Sequence, residues 1–178
     1  NYSIYNLNWG SDNYTVTVRM ARMAGSTAAA NQVILATGTN ANSLNGYRFN
    51  YTATGKIGVY RVINYNIDGS GGSVAWKTSG WESKSAINTG LGSYNTLKIV
   101  RNGSTYSFYI NNTLVNSFSD SVYSPRYIII GGYNGNMWTT LNFDYVYVDI
   151  GSTAGSVPGP SVSIPQSAIK DNPEYHKR

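Results

Sequence analysis

The stretch Asn95-Thr96-Leu97-Lys98-Ile99-Val100-Arg101, Asn102-Gly103, Thr105-Tyr106-Ser107-Phe108-Tyr109-Ile110 sets an Asn-Gly pair between two alternating runs of apolar and polar residues. Period-two alternation marks a half-buried strand, and Asn-Gly suits a type I′ turn, which needs positive φ at both central residues. The stretch therefore predicts a β-hairpin with Asn102-Gly103 at its tip. A second tight turn at Asn111-Asn112 leads into Thr113-Leu114-Val115. Consecutive hairpins with no helix between them predict antiparallel sheets.

The pattern continues outward in both directions. Gly46 to Thr52 alternates, turns at Thr54-Gly55 and re-enters as Lys56 to Val62, a second hairpin. Tyr14 to Met20 alternates as a further strand, and Gln32–Thr37, Val74 to Lys77, Tyr127 to Gly132 and Leu141 to Ile150 complete the set. Met23 to Asn31 holds three consecutive alanines, but Gly25-Ser26-Thr27 argues for a loop there, and Asn66 to Ser73 is a Gly/Ser-rich loop. The fold class is all-β, a two-sheet antiparallel sandwich over residues 1–150. Residues 151–178 change character: Pro158, Pro160 and Pro165 stand among Gly and Ser, and a charged polar end follows. This reads as a linker or extended C-terminal tail. The alternating Ser161-Val162-Ser163-Ile164 within it could instead add as an edge strand to this subunit or to a neighbour.

Composition narrows the function classes. The chain has 178 residues, suited to one domain, with 41% hydrophobic and only 12% charged residues. The net charge of +5 is spread singly along the chain with no basic cluster, which speaks against a nucleic-acid partner. No cysteine is present, so thiol chemistry, disulfides and Cys-based zinc sites are excluded. His176, the one histidine, lies in the polar tail, which removes Ser-His nucleophiles and His-based metal sites. No apolar run is long enough for a helical membrane span. The chain opens on Asn1-Tyr2 in place of Met, and Asn-x-Ser/Thr sequons start at Asn1, Asn13, Asn50, Asn102 and Asn111. Both features fit a secreted or cell-surface protein.

Three stretches together resemble the concanavalin A-like lectin/glucanase superfamily, in particular its laminin G-like jelly rolls. They are Gly46-Tyr47-Arg48-Phe49 with Gly55-Lys56-Ile57, Leu97 to Gly103 running on through Phe108 to Asn111, and Phe143-Asp144-Tyr145-Val146-Tyr147-Val148. The resemblance implies a jelly roll of two curved sheets, with ligands on the concave face or at rim loops. It also implies a structural role for Asp144 and, in some relatives, calcium. Function is not implied, because such folds host binders and enzymes alike.

Retaining hydrolases of this fold carry Glu-x-Asp-x-x-Glu, whereas Glu82 and Glu174 are the only glutamates here. Asp144 and Asp149 share a strand at an odd spacing, which predicts opposite faces and no catalytic pair. The chain is therefore read as not an enzyme, with no cofactor. Calcium is possible at Asp68 or Asp120, both of which otherwise read as solvated turn acids. Sixteen Tyr and four Trp are more than a sandwich core needs, and surplus rings suggest a sugar-stacking face. Trp76 and Trp81, the Tyr133-Asn134-Gly135-Asn136-Met137-Trp138 loop, and Tyr60 with Arg61 are the candidate ligand-binding residues. The expected function is a non-catalytic carbohydrate-binding or adhesion module of an exported protein, with a glycan or polysaccharide as partner. The alternative is a self-associating structural subunit of a fibre, surface layer or adhesin, assembling through its C-terminal segment.

Overall fold

The computed structural model describes residues 2–6, 11–67, 70–132, 139–151 and 161–164, the first and last of these segments as backbone. The strands are β1 (Tyr2–Asn6), β2 (Asn13–Ala24), β3 (Ala30–Ala36), β4 (Leu44–Thr52), β5 (Lys56–Tyr65), β6 (Ser73–Trp76), β7 (Glu82–Ser83), β8 (Asn95–Asn102), β9 (Thr105–Ile110), β10 (Thr113–Ser119), β11 (Tyr127–Gly132), β12 (Thr140–Ile150) and β13 (Ser161–Ile164). They form a seven-stranded sheet ordered β1-β11-β3-β4-β5-β6, with β7 also on β5, and a six-stranded sheet ordered β10-β9-β8-β2-β12-β13. Every pairing is antiparallel. The two sheets pack face to face, and no helix among the described residues is long and apolar enough to cross a membrane. Ser161–Ile164 lies in register against Val146 to Asp149 of its own chain, so this part of the tail extends the six-stranded sheet.

Alternation assigns the faces. Tyr14, Val16, Val18 and Met20 of β2 meet Tyr47, Phe49 and Tyr51 of β4 and Ile57 and Val59 of β5 between the sheets. An aromatic layer joins them: Tyr47 lies 4.5 Å from Tyr106, Phe49 5.4 Å from Phe108, and Tyr106 stacks on Phe118 at 5.2 Å. Tyr14, Tyr47, Tyr51 and Tyr106 are fully buried. The core thus consumes more of the tyrosine than the sequence count suggests. It can do so because most of these hydroxyls find partners: Tyr47 donates to Asp120 Oδ1 at 3.0 Å and Tyr51 to the Met20 carbonyl at 3.1 Å.

Two local expectations are corrected. Asn102 stays in the ladder, paired with Thr105, so the β8–β9 turn is Gly103-Ser104. Gly103 takes φ +58°, the positive φ at the first central position that a type II′ turn requires. Its amide donates to Asn13 Oδ1 and its carbonyl accepts from Arg101 Nε, both at 2.9 Å, which holds the turn one residue later than the Asn-Gly rule places it. The pair of positive φ angles falls instead at Asn111 (49°) and Asn112 (67°). On β12 the register shifts between Phe143 and Tyr145, and this bulge breaks the parity argument for the acids. Asp144 ion-pairs with Arg19, whose side of the sheet is also that of Asp149. What separates the two carboxylates is distance along the strand, about 15 Å at about 3.3 Å per residue, beyond either glycosidase spacing.

Asp120 is also corrected: it is a buried acid, with its side chain 4% exposed. Oδ2 meets Arg61 at 3.0 Å and Lys77 at 2.7 Å, and Oδ1 accepts from Tyr47 Oη at 3.0 Å and the Val122 amide at 2.9 Å. Two cations already neutralise it, so the site repels a calcium ion. Among the described residues no group of three or more acids or histidines could hold a metal; Asp68 lies outside them. Burial by itself raises the Asp120 carboxyl, but hydrogen bonds from Lys77, the Val122 amide and Tyr47 outweigh it and hold the pKa at about 2, against 3.8. A folded pKa below the unfolded one stabilises above about pH 4, and that stabilisation is lost as pH falls through 2. The shift corresponds to about 2 kcal/mol. Asp120→Asn should therefore lose about 2 kcal/mol or more at neutral pH, and its stability should fall correspondingly less between pH 4 and pH 2. Urea unfolding followed by circular dichroism across that range measures both.

Candidate functional site

The outer face of the seven-stranded sheet, away from the core, departs from a solvated face. Ladder register places Gln32, Asn50 and Gly58 side by side in one row and Ile34, Arg48, Tyr60 and Trp76 in the next. Val62 and Val74 follow in a third. Ile34, Ala36, Leu44, Tyr60, Val62, Tyr65 and Ile129 form a second hydrophobic cluster on this side. The polar members are buried among them, with Arg48 3% and Gln32 1% exposed.

Within the cluster the polar groups bond one another. Arg48 Nε donates to Asn50 Oδ1 at 2.8 Å, and Arg48 Nη1 donates to the Tyr65 hydroxyl. Asn50 Nδ2 donates to the Gly58 carbonyl at 2.7 Å. The guanidinium lies 5.4 Å from the Tyr60 ring centre and 5.3 Å from that of Tyr65, within cation–π range. Asn50, a sequon asparagine, is fully buried and so is closed to glycosylation in the folded chain.

Next to this floor stand the exposed rings. Trp76 ends β6 opposite Tyr60 and packs edge-on against it at 4.9 Å. Trp81 meets Trp76 at 6.3 Å with the planes 72° apart. Both tryptophans are 43% exposed, and Val74 beside them is exposed too. Chain geometry produces this corner. β6 covers β5 from Tyr60 to Ile63 and β7 covers Lys56 and Ile57, so the chain leaves the ladder between them. Thr78 fills the gap: its Oγ1 accepts from the Val59 amide at 3.2 Å and donates to the Gly80 carbonyl at 2.8 Å. Glu82 then accepts from the Ser79 amide at 2.9 Å, and this hydrogen bond, with that from Lys84, lowers its pKa. Gly58 lets the rings settle onto the sheet, since a Cβ there would lie 3.1 Å from Trp81 Cε3 and 3.3 Å from Trp76 Cζ3.

Of the residues singled out from the sequence, Trp76, Trp81 and Tyr60 come together. Arg61 does not join them. It follows Tyr60 on a strand, so it points to the opposite side, where it pairs with Asp120. Tyr133, Asn134, Asn136 and Trp138 lie outside the described residues, as does His176. Arg48, Asn50, Gln32 and Tyr65 enter the site from the structure. Their signal in the sequence was the shared parity of Arg48 and Asn50 in the Gly46 to Thr52 run, which puts two polar groups on the face opposite Tyr47, Phe49 and Tyr51.

No protein-family model and no curated protein sequence matches the chain. Solved structures do. A carbohydrate-binding module, CBM66 from Bacillus subtilis, superposes with a TM-score of 0.58 at 17% identity, over 76% of this chain and 74% of that one. A variant of human galectin-16 gives 0.57 at 14% identity over 85% and 95%. The galectin LEC-6 of Caenorhabditis elegans gives 0.53 at 15% over 82% and 89%. Identities this low speak for the fold alone, and they agree with the strand motifs and with the two packed sheets. The chain has the jelly-roll fold of the concanavalin A-like lectin/glucanase superfamily.

Proposed function

We propose that the chain is a non-catalytic carbohydrate-binding module that acts outside the cell and holds a glycan on the β4-β5-β6 face. The observation that carries this is the corner of two half-exposed tryptophans seated on a sheet whose next rows hold Tyr60, Arg48, Asn50 and Gln32. A sugar ring has an apolar C–H face and a rim of hydroxyls. It therefore stacks its C–H face on an exposed indole and leaves its hydroxyl rim to polar groups at the edge of the ring and to water. Indoles 72° apart support one unit on two sides, which suits a soluble chain or chain end better than a flat crystalline surface. The structural neighbours support the reading through what they are called, a carbohydrate-binding module and galectins. Among the described acids, Asp12, Glu82, Asp120 and Asp144 each pair with a lysine or arginine, and Asp149 lies about 15 Å along β12 from Asp144, which gives no support to a glycosidase pair on that strand.

A glycan array followed by isothermal titration with the best oligosaccharide tests the proposal. Trp76→Ala and Trp81→Ala should each weaken binding about tenfold or more, equivalent to about 1.4 kcal/mol. No binding to any glycan, or two silent variants, overturns it. Gly58→Val supplies an independent check. It leaves both indoles in the chain but forces them off the sheet, so tryptophan near-ultraviolet dichroism and glycan affinity should change together while the far-ultraviolet β-sheet signal stays the same.

A further inference from the structure

β10 ends the six-stranded sheet, with β9 on one side and no strand among the described residues on the other. A sheet edge is normally guarded by a charge or a proline. Thr113-Leu114-Val115-Asn116-Ser117-Phe118-Ser119 contains neither. Its one irregularity is the bulge between Leu114 and Asn116, which puts Val115 into the core and leaves Asn116 Nδ2 to donate to the Lys77 carbonyl at 3.2 Å. From Asn116 onward the ladder is regular, and the Asp120 amide extends it by donating to the Ser104 carbonyl at 2.8 Å. Asp120 adds no charge to the edge, since its carboxylate is buried on Arg61 and Lys77. Its amide also fixes which backbone groups are free. In an antiparallel strand the N–H and C=O of one residue point to the same side, and the side alternates along the chain. Asp120 and Phe118 therefore bond toward β9. Ser117 and Ser119 direct their amides and carbonyls outward, and both residues are exposed.

We infer that this edge is an interface between two copies of the chain, which pair β10 with β10 antiparallel about a two-fold axis at Phe118. Residues opposite each other must share a face, so the axis passes through a residue and not between two. Phe118 is the centre of the regular run from Asn116 to Asp120, and an axis there sets Ser117 of each copy opposite Ser119 of the other. Each of these pairs exchanges both of its N–H···O=C bonds, which leaves no outward group of the run unpaired. The same axis accounts for two exposed side chains. Leu114 and Val122, at 53% and 58%, are the most exposed large hydrophobic residues described. They lie at equal separations before and after Phe118 in the sequence, so the axis carries Leu114 of each copy toward Val122 of the other. An unrelated extended peptide could reproduce the hydrogen bonds but not these apolar contacts. The pairing is short against a standard interface, in which each partner buries about 800 Å², so the dimer is expected at concentrations on the order of tens of micromolar. The inference does not depend on the carbohydrate-binding reading but bears on it. Lys77, the residue after Trp76, holds both Asn116 and Asp120, so each tryptophan corner stands on the same flank as β10 and the dimer presents two of them.

Sedimentation velocity of the whole chain from about 5 to about 500 µM tests the inference. The expected result is a monomer that converts to a dimer across that range. Leu114→Lys and Val122→Lys change exposed side chains and so leave the fold intact, and each should weaken the dimer about tenfold or more. The chain has no cysteine, so cross-linking through an introduced thiol has no background. An equimolar mixture of Ser117→Cys and Ser119→Cys should cross-link on oxidation, because residues in a hydrogen-bonded pair stand about 5.5 Å apart at Cα, within disulfide reach. Ser119→Cys alone should not. A monomer throughout the range, with no cross-link in the mixture, overturns the interface. A dimer indifferent to both lysine substitutions, one that gives no cross-link in the mixture, or one that cross-links Ser119→Cys alone as fast as the mixture overturns the pairing of β10 about Phe118. Glycan affinity per chain should stay within about twofold in Leu114→Lys and Val122→Lys, so failure of the dimer and failure of the carbohydrate-binding reading are read separately.

Discussion

Asp120 holds together four parts of the chain that are distant in sequence. Its carboxylate takes Tyr47 from β4, Arg61 from β5, Lys77 from the residue after Trp76, and the amide of Val122 from its own turn. The Tyr47 ring in turn packs on Tyr106, Phe118 and Tyr123, so a single acid anchors the aromatic layer between the sheets. Lys77 also lies over the Phe118 ring, and its carbonyl accepts from Asn116 of β10. The edge that carries the exposed tryptophans is therefore tied to both sheets by its next residue. The anchoring holds the two indoles in place, and rigid rings lose little freedom on meeting a ligand of the kind proposed for this corner.

The two faces of the seven-stranded sheet use polarity in different ways. On the inner face a charged cluster sits at the rim of an apolar core and is closed on itself by opposite charges. On the outer face Arg48, Asn50 and Gln32 lie buried with a second apolar cluster, and the one cation, Arg48, bonds neutral oxygens in place of an acid. Buried polar groups are ordinarily satisfied within the fold. Adjacent residues illustrate the division: Tyr60 and Arg61 go to different faces and so to different tasks.

Much of the architecture was legible from local signals. The β4–β5 hairpin, the β8–β9–β10 meander and the closing strand β12 follow from alternation and from turn residues, since a half-buried strand must alternate whatever its partner. The errors arose where a nonlocal contact competes with a local rule. Asn13 captures the Gly103 amide and moves a turn by one residue; a bulge after Phe143 shifts parity and brings Asp144 to the same side of the sheet as Asp149. Asp120 reads as a solvated turn acid in Ser119-Asp120-Ser121 because nothing nearby in sequence announces Arg61, Lys77 or Tyr47.

For the site, sequence alone determined the supply of parts: two tryptophans close together, an arginine and an asparagine of like parity on one strand, and no paired glutamates. Tertiary structure decided their use. The order of strands sets Trp76 beside Tyr60, the break between β6 and β7 brings Trp81 over Gly58, and β3 carries Gln32 next to Asn50. Which of sixteen tyrosines are core and which border a site depends on which strands become neighbours. Strand neighbours are chosen by burial summed over the whole chain, and that sum is not written in any one segment of it.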